Sequence, residues 1–234
     1  MNLIELFNYN FYFGSLFEIN TQKRSIINTV NPKIYFEAKN DKVLSIALMS
    51  STLLTDSNLF VFAIRILKGK KITKISNIEI YNHLLKQANK NKQRIFYLES
   101  SQNSLKVIIQ KTKTYFPEIQ VYGFALNNSN NFFKKNTQII IKAINAFKTD
   151  ILFINSTFPK QEKWVFRNKY DINAQLIVSL HDMSIIYGYQ SLLKNYIKKS
   201  LGYILFMLKN PKRFYNNFIQ KLQILTEVLV EKIS

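Results

Sequence analysis

The chain contains no cysteine, which excludes disulfide bonds, thiol nucleophiles and cysteine-based zinc sites. Proline and glycine are scarce, at four and five among 234 residues, which argues against a loop-rich all-β fold and favours long helices and strands. Histidine occurs only at His83 and His181, far apart in sequence, and neither has the spacing of a Ser-His-Asp set or a metal site. No GxGxxG, Walker loop or HExxH is present. No uncharged apolar run reaches about 18 residues, so no segment reads as a membrane-spanning helix. The opening Met1-Asn2-Leu3-Ile4-Glu5-Leu6-Phe7 carries an acid and no basic n-region, so a secretory signal is not expected. The expectation is a soluble or peripheral protein.

Acidic residues are also few, 14 against 33 Lys and Arg, and the formal charge of +19 attracts anions such as nucleic acid, acidic lipid or phosphorylated small molecules. Lys, Asn and Ile crowd the chain, as in Asn127-Asn128-Ser129-Asn130-Asn131, and an AT-rich gene would produce the same excess. The charge therefore does not by itself identify a nucleic-acid partner, and none is expected. The apolar fraction of 47% is ample for a folded core, and the length suits one sizeable domain or two small lobes.

Residues 1–24 read as an irregular leader, rich in aromatics and turns. From Ser25 the pattern alternates. Ser25-Ile26-Ile27-Asn28 is a short apolar strand, and Pro32 opens a helix, a position that suits its fixed φ. Ser51 to Leu54 is the next strand. Helical stripes at Ile80, Leu84, Leu85 and Ala88, at Leu105, Ile108, Ile109 and Thr112, and at Ile140, Ala143, Ile144 and Phe147 alternate with further strands. Those strands are expected near residues 94–98, 119–124, 150–154 and 175–180. The alternation predicts an α/β fold, a Rossmann-like parallel sheet flanked by helices, over residues 25–190. Residues 191–234 form a helical, basic C-terminal appendage with Phe214, Phe218, Leu222, Leu225 and Leu229 on one side. That pattern fits either a core-docked helix or an interfacial anchor.

Ligands of such sheets sit beyond the carboxyl ends of the strands. Three clusters fall there. Thr29 and Asn31, at a strand-to-helix junction, read both as helix caps and as groups that hold a phosphate or sugar. Asp56 ends an apolar segment and reads as an Asx-turn residue or as a general base. Pro159 opens a helix with Lys160, Gln161 and Glu162 in its first turn, after Asn155-Ser156-Thr157; this is an ordinary helix start or an anion site. His181-Asp182 follows a strand and lies at the same edge.

Taken in order, these clusters resemble the WecG/TagA/CpsF family of glycosyltransferases. Thr29-Val30-Asn31-Pro32 is similar to its T-x-N-P start, and Asp56 with Arg65 nine residues on is similar to its second block. Tyr115-Phe116-Pro117-Glu118-Ile119 resembles Y-P-x-(I/L), Pro159-Lys160-Gln161-Glu162 resembles P-(K/H)-Q-E, and Asn210-Pro211-Lys212-Arg213 resembles a basic C-terminal block. The resemblance covers residues 25–214.

It implies inverting transfer of an N-acetylmannosamine-type sugar from a UDP donor to a polyprenyl-diphosphate-linked acceptor, without a bound metal or other cofactor. Asp56 would be the base, Thr29 and Asn31 would line the pocket, and Gln161 would hold donor or acceptor. Arg65, Lys74, Lys160 and Arg213 would supply positive charge. The basic C-terminal segment would dock on an anionic membrane surface, and self-association would be common. The location implied is cytoplasmic and peripheral on the membrane in a bacterium; the AT-rich composition also fits an organelle-encoded gene, in which case the location expected is a plastid.

The pattern departs from the family in several places. Lys74 to Glu79 stands where the family has R-x-x-G-x-D, Glu99-Ser100 stands for G-G, and Thr157 for the Gly before P-K-Q-E. Ser179-Leu180-His181-Asp182 begins a block whose glycines are largely gone. These departures keep open a second reading, a catalytically inactive relative acting as a binding or scaffold protein.

Overall fold

A computed structural model describes residues 2–19, 21, 23–126, 132–181 and 211–233, with side chains from 136 in the fourth of these stretches and from 219 in the last. Its strands are β1 (Leu3–Leu6), β2 (Tyr9–Tyr12), β3 (Ser25–Val30), β4 (Thr52–Thr55), β5 (Arg94–Glu99), β6 (Gln120–Ala125), β7 (Ile151–Asn155) and β8 (Leu176–Ser179). The helices are α1 (Pro32–Lys39), α2 (Lys42–Met49), α3 (Asn58–Lys68), α4 (Asn77–Lys90), α5 (Gln102–Tyr115), α6 (Phe132–Ala146), α7 (Lys160–Asn168) and α8 (Pro211–Ile233).

The eight strands form one sheet in the order β1-β2-β4-β3-β8-β7-β5-β6, and every pairing is parallel except β1 with β2. This is the expected α/β class. β4, β7 and β8 are almost wholly buried, as parallel strands covered by helices on both faces must be. One face, carrying Ile27, Leu54, Tyr97, Phe153 and Val178, packs against α4 and α5. The other packs α6 and α7 at one end, and α1, α2, α3 and α8 at the other.

Local chemistry explains where the helices begin. Asn31 caps α1 by accepting from Ile34 N at 3.1 Å, and Pro32 occupies the first turn. Ser76 and Glu79 form a reciprocal capping box on α4, and the Ser76 hydroxyl and N–H hold the Glu79 carboxyl below its ordinary range. Behind that cap, Ile80, Tyr81, Leu84, Leu85 and Ala88 bury one stripe.

One reading changes and one is narrowed. Residues 1–24 are not an irregular leader: β1 and β2 form a hairpin whose second strand extends the sheet beside β4, with Phe11 opposite Leu53. Its turn places Phe7 and Asn8 at φ 51° and 64°, without the glycine that normally signals such a turn. The C-terminal region is described only from Pro211; the part of the helical appendage expected over residues 191–210 lies outside the described residues. α8 buries Ile224 and Val228 in one core with Tyr35, Phe60 and Ile64, which is the docked arrangement for this part of the chain. Glu227 accepts hydrogen bonds from Tyr35 Oη and Lys39 Nζ, both at 2.5 Å. Among the described residues, no helix is long and apolar enough to cross a membrane.

Candidate functional site

Strand register fixes which loops meet at the carboxyl edge. Val30 pairs with Thr55 across β3 and β4, so Asn31 and Asp56 leave adjacent strands side by side. Thr55 Oγ1 donates to Val30 O at 2.8 Å and accepts from Ser57 N at 3.0 Å, which ties the Asp56 turn to the end of β3. Ile75 N donates to Thr55 O at 2.9 Å and brings the Lys74 segment to the same place. On the other side of β3, Asn28 pairs with Ser179 of β8, and Ser179 pairs with Ile154 of β7. Residues 29–31, 56, 155–157 and 180–181 therefore emerge together. This is the expected location for ligand in a doubly wound sheet.

Asp56 is exposed and makes no hydrogen bond or ion pair among the described residues. Thr29 lies on β3 and does not cap a helix; it is 8% exposed, and its hydroxyl has no hydrogen-bond partner there. Asn31 carries the cap of α1 with its Oδ1 and stays partly exposed.

Gln161 is fully buried, and its amide is engaged internally. Oε1 accepts from Ser156 N at 2.7 Å, and Nε2 donates to Glu162 Oε1 at 2.9 Å. It therefore shapes the turn from within and presents no surface to a ligand. Lys160, beside it, is exposed in the first turn of α7, after a cis Phe158–Pro159 peptide bond. Lys74 is also exposed and lies near enough to Glu79 to favour its ionised form. Arg65 is not gathered with the rest: it sits in the last turn of α3, roughly 10 Å along the axis from Asn58. Arg213 falls in the first turn of α8, and its side chain is outside the described residues.

Two acids gain importance that spacing alone did not reveal. Glu99 closes β5 at 1% exposure and accepts from Asn155 Nδ2 at 2.9 Å. Glu162 is 2% exposed, with its Oε1 3.1 Å from His181 Nε2 and its Oε2 without a hydrogen-bond partner. A first-turn Glu normally faces solvent and complements the helix dipole. Here the sheet edge covers it. α7 is fixed from its other side by an ion pair between Lys163 and Asp41, and the Lys163 hydrogen bond is the main reason the Asp41 carboxyl lies below its ordinary range.

Among the described residues, no group of three or more His, Asp and Glu is placed to hold a metal ion. A cavity of about 860 Å³ opens elsewhere, beside the β1–β2 turn and the C-terminal half of α1, and it does not include the Asp56 edge.

The sequence matches the profile described as the Glycosyl transferase WecG/TagA/CpsF family over residues 13–234. It is similar to the N-acetylglucosaminyldiphosphoundecaprenol N-acetyl-beta-D-mannosaminyltransferase of Bacillus subtilis (strain 168), with 28% identity over 147 residues, 62% of this chain and 56% of the relative. The enzymes of the same description from Bacillus spizizenii and Staphylococcus aureus (strain NCTC 8325 / PS 47) are 24% identical, over 69% and 66% of this chain. The matches span only 56%, 62% and 59% of those relatives' own lengths. A profile match that runs from residue 13 through β3 to β8, with Thr29, Asn31, Asp56 and the Pro159 turn on one edge, places this chain in the WecG/TagA/CpsF family of glycosyl transferases.

Proposed function

We propose that this protein transfers an N-acetylhexosamine, ManNAc-like, from a UDP-sugar to a hydroxyl of a polyprenyl-diphosphate-linked acceptor. The observation that carries this reading is the convergence of Asn31, Asp56 and the Ser156–Pro159 turn at one sheet edge, in a chain of this family. The curated relatives are named for such a transfer.

Asp56 is the base. Its exposed carboxylate has no internal partner among the described residues, so it is available to accept the proton of an incoming acceptor hydroxyl. That oxygen attacks the anomeric carbon directly, the configuration inverts and the nucleoside diphosphate leaves. Thr29 and Asn31 border the sugar. Lys160 and Lys74, both exposed at this edge, offset the charge of the departing diphosphate, and no metal is needed for that role. Gln161 acts from beneath by fixing the Ser156 N–H. Arg65 and Arg213 contribute positive charge farther out, and the basic C-terminal segment holds the protein against an anionic membrane carrying the acceptor.

Calorimetric titration with UDP and UDP-N-acetylhexosamines tests the donor, and turnover with a lipid-linked acceptor tests the reaction. Asp56→Asn should bind UDP as the unmodified protein does while losing turnover by at least about a hundredfold. Undiminished turnover in that variant removes Asp56 as the base. Absence of UDP binding at millimolar concentration replaces the transferase reading with that of an inactive relative retained for binding.

A further inference from the structure

His181 lies at the level of the site by register alone. Ser179 is opposite Asn28 on β3 and Ile154 on β7, so two residues on His181 stands level with Val30 and Ser156. Its side chain is 16% exposed, and that of Glu162, beneath it, is 0% exposed. The backbone is held there by Asn77 Nδ2, which donates to His181 O at 2.5 Å. The ring edge meets Phe158, with centroids 5.4 Å apart.

The surrounding hydrogen bonds favour one tautomer of the ring. Ser156 N–H points at Gln161 Oε1, so the Gln161 nitrogen must be on the opposite side, where it lies 3.5 Å from His181 Nδ1. The same nitrogen also reaches Leu180 O at 3.4 Å; because an amide nitrogen cannot accept, a hydrogen bond to the ring has Nδ1 as its acceptor, which is the arrangement that leaves the imidazole proton on Nε2. Nε2 is 3.1 Å from Glu162 Oε1, yet neither it nor Glu162 Oε2 has an in-line hydrogen-bond partner. A buried carboxylate next to an out-of-line N–H is an incompletely closed contact, of the kind that tightens when substrate fills a site. Unsatisfied buried polar atoms also gather in this part of the sheet: Asn28 Oδ1 and Ser179 Oγ on paired residues, and Thr29 Oγ1 one residue on.

We propose that His181 is a positioning residue of the donor site: its Nε2–H closes on Glu162, and this holds Gln161 and the Ser156 turn in the arrangement that the donor diphosphate engages. The role rests on the transferase reading. It differs from the role of Asp56, since His181 touches Glu162 and acts on the ligand only through the turn. His181 therefore governs donor affinity more than the chemical step.

The test uses the full chain. His181→Phe keeps a ring against Phe158 but removes the N–H, and His181→Gln restores a donor of similar reach. His181→Phe should weaken UDP binding at least about tenfold, the scale of one hydrogen bond to a charged partner, and raise KM with little change in kcat. His181→Gln should recover to within about threefold of the unmodified protein. Nitrogen-15 NMR provides a readout that packing does not move. With only His83 and His181 in the chain, the His181 signals should show protonated Nε2 and unprotonated Nδ1. Glu162→Gln should shift them and leave those of His83 in place.

Unchanged UDP affinity in His181→Phe, or a proton on Nδ1, overturns the proposal while the transferase reading stands. If the unmodified chain binds no UDP, both fall, and the control titration alone identifies that case. If His181→Phe does not fold, Glu162→Gln, which preserves side-chain shape, takes its place in the titration with the same expected loss.

Discussion

Truncating Ile224 to alanine tests whether α8 is part of the folded body. Ile224 has no exposure and shares a core with Tyr35, Phe60 and Ile64, while Val228, one helical turn on, is 2% exposed. Three carbons are lost; at about 0.8 kcal/mol each the transfer contribution is about 2.4 kcal/mol, and the residual cavity raises the total to about 3 kcal/mol. The neighbouring polar contacts add less than their number implies. The Lys39–Glu227 and Lys68–Glu231 pairs have side chains between 28% and 45% exposed, and solvent screens them. The Tyr35 hydroxyl bond to Glu227 is better sheltered, and burial followed by this carboxylate raises the Tyr35 pKa well above its ordinary value. For a chain of this size about 3 kcal/mol lowers Tm by roughly 6–12 °C. Urea unfolding followed both by far-UV circular dichroism and by the fluorescence of Trp164, the only tryptophan, measures the change from two vantage points. A loss below about 1 kcal/mol with the same m-value, or a helical phase that melts before the Trp164 signal moves, refutes the integral packing of α8.

Gly123→Ala should destabilise by about 1–3 kcal/mol, because a Cβ there would lie 2.5 Å from Leu105 Cδ1 and 2.7 Å from the Tyr97 carbonyl oxygen; thermal melting measures it, and adding Leu105→Ala should recover only the side-chain part. Asp41→Ala removes the α2 cap to Leu44 N and the Lys163 pair together, so about 1–2 kcal/mol should be lost at neutral pH. The Asp41 pKa is depressed on folding, so its contribution is present above the ordinary carboxylate range and is lost as pH falls through the depressed folded value. The gap between wild type and variant should therefore narrow in acid, and a gap that widens there contradicts the assignment.

Most of the sheet could be read from the sequence because its strands are apolar runs between amphipathic helices, and burial on both faces leaves few other patterns. The hairpin could not. Leu6-Phe7-Asn8-Tyr9 lacks a glycine, and the positive φ of Phe7 is imposed by packing that local preference does not foreshadow. In the candidate site, Asp56 and Asn31 were legible because strand ends and helix starts follow from local chemistry. The burial of Gln161 and Glu162 was not, because a helix's first turn gives no sign of which side a neighbouring strand will cover. His181 could be placed at the edge by its strand, but its pairing with Glu162, 19 positions earlier in the chain, needed the fold.

α1 has its first turn at the edge that carries the candidate site and its last turn under α8. Asn31 caps one end, while Tyr35 and Lys39 hold Glu227 toward the other, along a rod of eight residues, roughly 12 Å long. A rod that short does not bend appreciably, so tilting either end displaces the other. On the transferase reading proposed above, a ligand held beside Asn31 and the seating of the C-terminal helix would be thermodynamically linked: whatever coupling free energy one exerted on the other would be returned in equal measure.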